Sequence, residues 1–86
     1  MRFFWSSDFK KRWRKLPKTV KEQFKLSSRL LMQNEYHPML NNHKLVGKYT
    51  GSRSINVAGD YRAIYEKRDS DSIYWAAIGT HSQLYE

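Results

Sequence analysis

Arg53 to Ile78 reads RSINVAGDYRAIYEKRDSDSIYWAAI. Three runs rich in β-branched and aromatic residues, 53–57, 61–67 and 73–78, are separated by two clusters of turn formers, Ala58-Gly59-Asp60 and Asp69-Ser70-Asp71-Ser72. The runs favour extended backbone and the clusters favour reversal. Connections this short join strands as hairpins, so the stretch is expected to form an antiparallel meander. Tyr61, Ala63 and Tyr65 alternate along the middle strand, which puts all three on one face.

Upstream, the period changes from two to about 3.6. From Lys18 to about Glu35, Val20, Phe24, Ser27 and Leu31 step by three or four, and Leu26 and Leu30 widen the stripe. Lys18, Lys21, Lys25 and Arg29 step the same way on the opposite side, so the segment reads as an amphipathic helix with a basic ridge. A shorter basic helix over Phe9–Leu16 precedes it, with capping residues in Ser6-Ser7-Asp8. Leu16-Pro17 is a tight joint that favours a helix hairpin. Met1 to Trp5 is aromatic and β-prone and reads as a first strand at a sheet edge. His37-Pro38 ends the long helix. Lys44 to Tyr49 reads as a strand closed by a turn at Tyr49-Thr50-Gly51-Ser52. Beyond the meander, Thr80 and Gln83 have capping-box spacing for a short terminal helix. The order is β-α-α, then an antiparallel meander and a C-terminal helix. Helices followed by strands indicate an α+β fold, with the helix hairpin packed on one sheet.

The chain has 86 residues, enough for a single domain over 1–86. Hydrophobic residues are 40% and aromatics 15%, which supplies a core that a disordered chain would lack. There is no cysteine, and His37, His43 and His81 fall in no metal-binding spacing, so no metal is expected. No apolar run reaches the ~18–20 residues of a membrane span, and the N-terminus does not read as a signal peptide. The expected location is the cytoplasm. Net charge is +8, of which residues 1–38 carry about +7, with ten Lys/Arg against three acids. That excess points to a polyanionic partner.

Several of these segments together resemble the RelE/ParE toxin superfamily, nearest its YafQ-like branch. They are His43-Lys44-Leu45-Val46-Gly47 with Tyr49-Thr50-Gly51-Ser52-Arg53, the strand Asp60-Tyr61-Arg62-Ala63-Ile64-Tyr65, and the ending Ile78-Gly79-Thr80-His81-Ser82-Gln83-Leu84-Tyr85, behind the helix hairpin of residues 8–35. The resemblance implies a type II toxin that cuts messenger RNA at the ribosome without a metal or any other cofactor, held inactive by a cognate antitoxin. The chain departs from the branch pattern at Ser54, where an acid is common, and at Asn56, where a histidine is common.

Metal-free RNA cleavage needs a base for the 2′-hydroxyl, a cation for the pentavalent phosphate and an acid for the leaving 5′-oxygen. Arg62 is the candidate cation, because its planar fork pairs with phosphate oxygens. His81 is the candidate acid or base, since imidazole titrates near neutral pH. Tyr85 offers stacking or proton transfer, and His43 a second acid–base group. Asp60 offers to orient the base or pair with Arg62, against an ordinary Asx-turn role. Tyr61 offers base stacking, against core packing. Lys48 and Arg53 are candidate phosphate contacts near the site, and Lys18, Lys21, Lys25 and Arg29 a second basic surface for RNA phosphates.

The same fold class also supports a ParE-like binding inhibitor of DNA gyrase, or a decayed toxin that only binds RNA or antitoxin. The antitoxin is expected to present an acidic segment that folds over the basic surface. No small-molecule cofactor and no membrane partner is expected.

Overall fold

The computed structural model describes residues 1–85. Strand β1 (Arg2–Trp5) leads into helix α1 (Ser7–Trp13) and helix α2 (Lys18–Gln33). A 3-10 turn at Pro38–Leu40, the two-residue strand β2 (His43–Lys44) and a second 3-10 turn at Gly47–Tyr49 follow. The meander is β3 (Arg53–Ala58), β4 (Tyr61–Asp69) and β5 (Ser72–Thr80), and helix α3 (His81–Tyr85) closes the described chain. The five strands form one sheet in the order β1-β5-β4-β3-β2. Strand β1 lies parallel to β5, and the other pairings are antiparallel.

The α+β class, the hairpin meander and the edge position of β1 agree with the sequence. Residues 59 and 60 alone make the β3–β4 turn, with Ala58 opposite Tyr61 and Gly59 at φ +53°, a conformation that costs glycine little. Both strands after this turn run longer than the sequence pattern indicates.

Helix α1 starts where its cap dictates. The Ser6 hydroxyl accepts from the Phe9 amide at 2.9 Å and donates to the Ala76 carbonyl at 2.7 Å, tying the helix to β5. Helix α2 stops at Gln33, two residues short of expectation, because Asn34 is already extended and Glu35 is drawn into bonds with β4. Its buried face is Val20, Phe24, Ser28 and Leu31. Ser28, not Ser27, completes the stripe, and Leu26 faces solvent with 54% exposure. The expected strand over 44–49 shrinks to His43–Lys44. Gly47, at φ +69°, turns the chain into a 3-10 turn that the Thr50 hydroxyl closes on the Gly47 carbonyl.

Helices α1 and α2 cover one face of the sheet. Phe9, Phe24 and Trp75 pack there in tilted and edge-on contacts with Trp5 and Trp13 at its margin, above Ile55, Val57, Ala63 and Tyr65. The opposite face carries a smaller cluster, in which Leu84 of α3 packs on Ile64 and Ala77. An irregularity at Ala76, between the pairings Ile64↔Ala77 and Tyr65↔Trp75, lets β5 serve both faces. No helix among the described residues is long and apolar enough to cross a membrane.

Candidate active site

Arg62 lies on β4, opposite Asn56 of β3 and Gly79 of β5, and faces the side of the sheet that α1 and α2 leave uncovered. Its Nε donates to the buried Ser54 hydroxyl at 2.5 Å, its Nη1 to Asn56 Oδ1, and its Nη2 to the Asn41 carbonyl at 3.0 Å. The fork is therefore held along three directions by neutral acceptors. Among the described residues it forms no ion pair. Partial burial draws the guanidinium below its ordinary value, with Tyr85 opposing the shift. An arginine stays cationic through such a change. The result is an oriented positive charge with no carboxylate paired to it among the described residues, a fit for a phosphate group.

His43 stands next to it. Its Nδ1 lies 3.0 Å from the Asn41 carbonyl. A carbonyl only accepts, so the neutral ring carries its proton on Nδ1 and leaves Nε2 as a free acceptor. In that tautomer the 3.4 Å approach of Arg62 Nη2 to Nδ1 is a contact between two donors rather than a hydrogen bond.

The other wall comes from α3. Thr80 and Gln83 cap each other: the Gln83 amide donates to Thr80 Oγ1 at 3.3 Å and the Thr80 amide to Gln83 Oε1 at 2.9 Å. This box aims His81 and Tyr85, one turn apart, to the same side, with ring centroids 4.8 Å apart. Tyr85 meets Tyr49 edge-on at 5.9 Å, and Lys48 lies over the Tyr49 ring at 5.3 Å. A Cβ added at Gly79 would lie 2.9 Å from Gln83 Oε1 and 3.3 Å from Arg12 Nη1, so a side chain there would push Gln83 out of its capping position. His43, Lys44, Leu45, Val46, Arg62, His81 and Tyr85 line one open cleft of about 460 Å³.

The structure thus brings together Arg62, His43, His81 and Tyr85, with Lys48 beside the tyrosines. The remaining candidates lie elsewhere. Asp60 sits exposed in the β3–β4 turn and is not a partner of Arg62. No Asx bond forms there among the described residues, and Gly59 makes the turn. Tyr61 is half-buried against the main core, on the helix-covered face. Arg53 also faces that side: its Nε donates to Asn42 Oδ1 at 2.7 Å and its guanidinium lies 5.3 Å from the Tyr36 ring. The alternation of strand side chains, applied across β3 and β4, separates Arg53 and Tyr61 from Arg62. Lys18, Lys21, Lys25 and Arg29 ride on α2, across the sheet from the cleft.

The sequence reading missed Asn41, whose carbonyl meets both Arg62 and His43. The Asn41-Asn42 pair signals a loop, and asparagine tolerates the left-handed backbone seen at φ 44°, but a carbonyl contact leaves no mark in sequence. Ser54 and Asn56, noted as departures from a family pattern, prove to be the side chains that hold Arg62.

On the other side of the sheet is a groove of about 710 Å³ walled by Phe3, Trp5, Phe9, Trp13 and Phe24. Lys10, Arg14, Lys25 and Arg29 stand around it, with no acid among its lining residues.

This arrangement is the fold of the RelE-like toxins. The family model for "bacterial toxin of type II toxin-antitoxin system, YafQ" matches residues 1–86, and the chain belongs to that family. The crystal structure of YafQ from E. coli strain BL21(DE3) superposes with a TM-score of 0.78 at 21% identity, covering 99% of this chain and 98% of that one. YafQ in the E. coli DinJ-YafQ complex gives 0.74 at 22%, covering 99% and 98%. The RelB-RelE antitoxin-toxin complex from Methanococcus jannaschii gives 0.65 at 20%, covering 95% and 94%. Among curated proteins, no sequence relative matches the chain.

Proposed function

We propose that this toxin is a metal-free endoribonuclease of the cytoplasm that cuts messenger RNA, in the ribosome, and so stops translation. The observation that supports the reading is the convergence of Arg62, His43, His81 and Tyr85 on one cleft. In the reaction, His43 Nε2 takes the proton of the 2′-hydroxyl. The 2′-oxygen attacks phosphorus and the bond from phosphorus to the 5′-oxygen breaks, leaving a 2′,3′-cyclic phosphate. His81, as imidazolium, gives its proton to the departing 5′-oxygen. Arg62 neutralises the charge that grows on the phosphate oxygens, and Tyr85 stacks on a neighbouring base. The requirement for a 2′-hydroxyl selects RNA over DNA. The basic surface of α1 and α2 suits ribosomal RNA phosphates.

A cognate antitoxin neutralises the toxin. Similar toxins are seen in the DinJ-YafQ and RelB-RelE complexes. The aromatic groove ringed by Lys10, Arg14, Lys25 and Arg29 fits an acidic amphipathic helix of that partner, by charge and by shape.

One observation favours a second reading. Ser54 and Asn56 hold Arg62 and cannot titrate, so the cleft has fewer proton-handling groups than the related branch offers. A ParE-like gyrase inhibitor, or a toxin that binds without cutting, would need none. Expression of the wild type and of a His81→Ala/Arg62→Ala double variant, with 5′ ends of a reporter message mapped, separates these. New RNA ends and growth arrest in the wild type alone are expected. Arrest in both without new ends overturns the ribonuclease and directs attention to gyrase.

A further inference from the structure

The side chain of Asn42 lies on the opposite side of the sheet from the cleft, yet of its two chain neighbours His43 lines the cleft and Asn41 meets Arg62 through its carbonyl. Its Nδ2 donates to the Glu35 carbonyl at 2.9 Å and to the Tyr65 hydroxyl at 2.8 Å. Its Oδ1 accepts from Arg53 Nε at 2.7 Å. Both N–H groups and the carbonyl of the amide are thus used. Tyr65 in turn donates to Glu35 Oε2 at 2.8 Å, and Lys67 reaches Glu35 Oε1 at 3.0 Å. One amide therefore joins the end of α2, the middle of β4 and the start of β3.

Residues 41 and 43 flank this knot and turn the other way. The Asn41 carbonyl receives Arg62 Nη2 and faces His43 Nδ1. His43 pairs with Ser54 and so shares the face of Arg62. The segment is also tied by the buried Leu40 on one side and by the Leu45 amide on the Ser52 carbonyl at 3.0 Å on the other; between these anchors β2 is only two residues long, and Asn42 is the side chain that reaches from it into the end of α2, β3 and β4.

We propose that Asn42 is a positioning residue, clamped by Glu35, Arg53 and Tyr65, which aims the Asn41 carbonyl and the His43 ring at Arg62. The role in turnover rests on the ribonuclease reading; the geometry does not. No other side chain of this size carries two donors and one acceptor in a single fork. Asn42→Asp is nearly isosteric, keeps the acceptor for Arg53 and loses both donors. The clamp acts through the sheet, so the cleft depends on residues that never touch substrate.

The test is nitrogen-15 NMR of the His43 ring and of the Arg62 Nε–H in the folded protein, free of RNA. In the wild type, His43 is expected in the Nδ1–H tautomer and the Arg62 Nε–H in slow exchange with water. In Asn42→Asp, His43 should move toward the Nε2–H tautomer and Arg62 exchange should quicken by about tenfold or more, with Tyr65→Phe shifting both in the same direction by less. In RNA cleavage kcat should fall by about tenfold to a hundredfold with KM little changed, as expected of misplaced rather than missing groups. Unchanged His43 and Arg62 signals in a folded Asn42→Asp overturn the proposal. Should that variant not fold, Tyr65→Phe and Arg53→Gln decide in its place, each removing one clamp bond, and unchanged signals in both overturn it. Signals that respond in a protein that cuts no RNA uphold the clamp and overturn the ribonuclease reading alone. Unaltered kcat in an Asn42→Asp that does cut RNA overturns the positioning role in turnover and leaves the ribonuclease reading standing.

Discussion

Arg53 and Arg62, on neighbouring strands, face opposite sides of one sheet. Arg62 points into the cleft among neutral acceptors, while Arg53 is bound into the knot around Asn42 under the end of α2. The two cations should therefore fail differently. Arg62→Ala is expected to lower RNA cleavage by about 10²–10³-fold, the usual cost of removing a preorganised charge stabiliser. Arg62→Lys should recover little, because one ammonium cannot reproduce the fork. Single-turnover cleavage of a short RNA measures both.

His81 is exposed, and its removal should leave folding intact. His81→Ala is expected to reduce cleavage by about 10²–10⁴-fold and to abolish one limb of the pH–rate profile. An unaltered profile would reassign the proton transfer. His43→Ala should remove the opposite limb.

Glu35 links stability to pH. Its burial pushes the carboxyl up, but the hydrogen bonds from Lys67 and Tyr65 and the charges of Lys67 and Arg53 outweigh that and hold it below its ordinary value of 4.5. A carboxyl lowered by folding contributes stability that is complete above its unfolded value and is lost as pH falls through the folded one. Urea midpoints are expected to drop below about pH 4.5, more steeply in the wild type than in Glu35→Gln. Tyr65, pushed far above its ordinary value by burial, stays a neutral donor throughout.

Phe24 has 2% exposure and touches Trp5, Phe9, Trp13 and Trp75. Phe24→Ala is expected to cost about 3–5 kcal/mol, by lost burial and an unfilled cavity. In a chain this short that is a large share of the total, since domains are stable by about 0.05–0.15 kcal/mol per residue. Chemical denaturation of a toxin inactivated at Arg62 measures it safely.

The groove charges should set the pace of antitoxin capture. Lys25→Glu/Arg29→Glu is expected to slow association and flatten its salt dependence, with less effect on dissociation, as rim charges steer encounter. Stopped-flow binding at two salt concentrations distinguishes this from loss of the aromatic contacts, which would speed dissociation.

Much of this was legible in the sequence because it is local. Alternation and turn residues mark the meander, Ser6 and the Thr80–Gln83 box mark helix starts, and the 3.6 period marks α2. Arg62, His81, Tyr85 and His43 stand out by chemistry and motif. The alternation of Tyr61 with Ala63 and Tyr65 already points to core packing, which the structure shows; the same period applied to Arg53 places it on that face too, away from Arg62. The short β2 eluded the pattern because a positive φ at Gly47 ends it. Asn41 and Asn42 act through a carbonyl and a long-range amide, which composition and spacing do not encode.

Strand β1 is made well before its parallel partner β5, with Arg2 beside Ser72. Until β5 exists, Phe9 and Phe24 lack the indole of Trp75, Arg62 lacks one of its two neighbouring strands, and α3 has not begun. A nascent chain can neither complete its core nor assemble its cleft in stages. The sheet, the aromatic core and the cleft therefore come into being together, and only once β5 has been made.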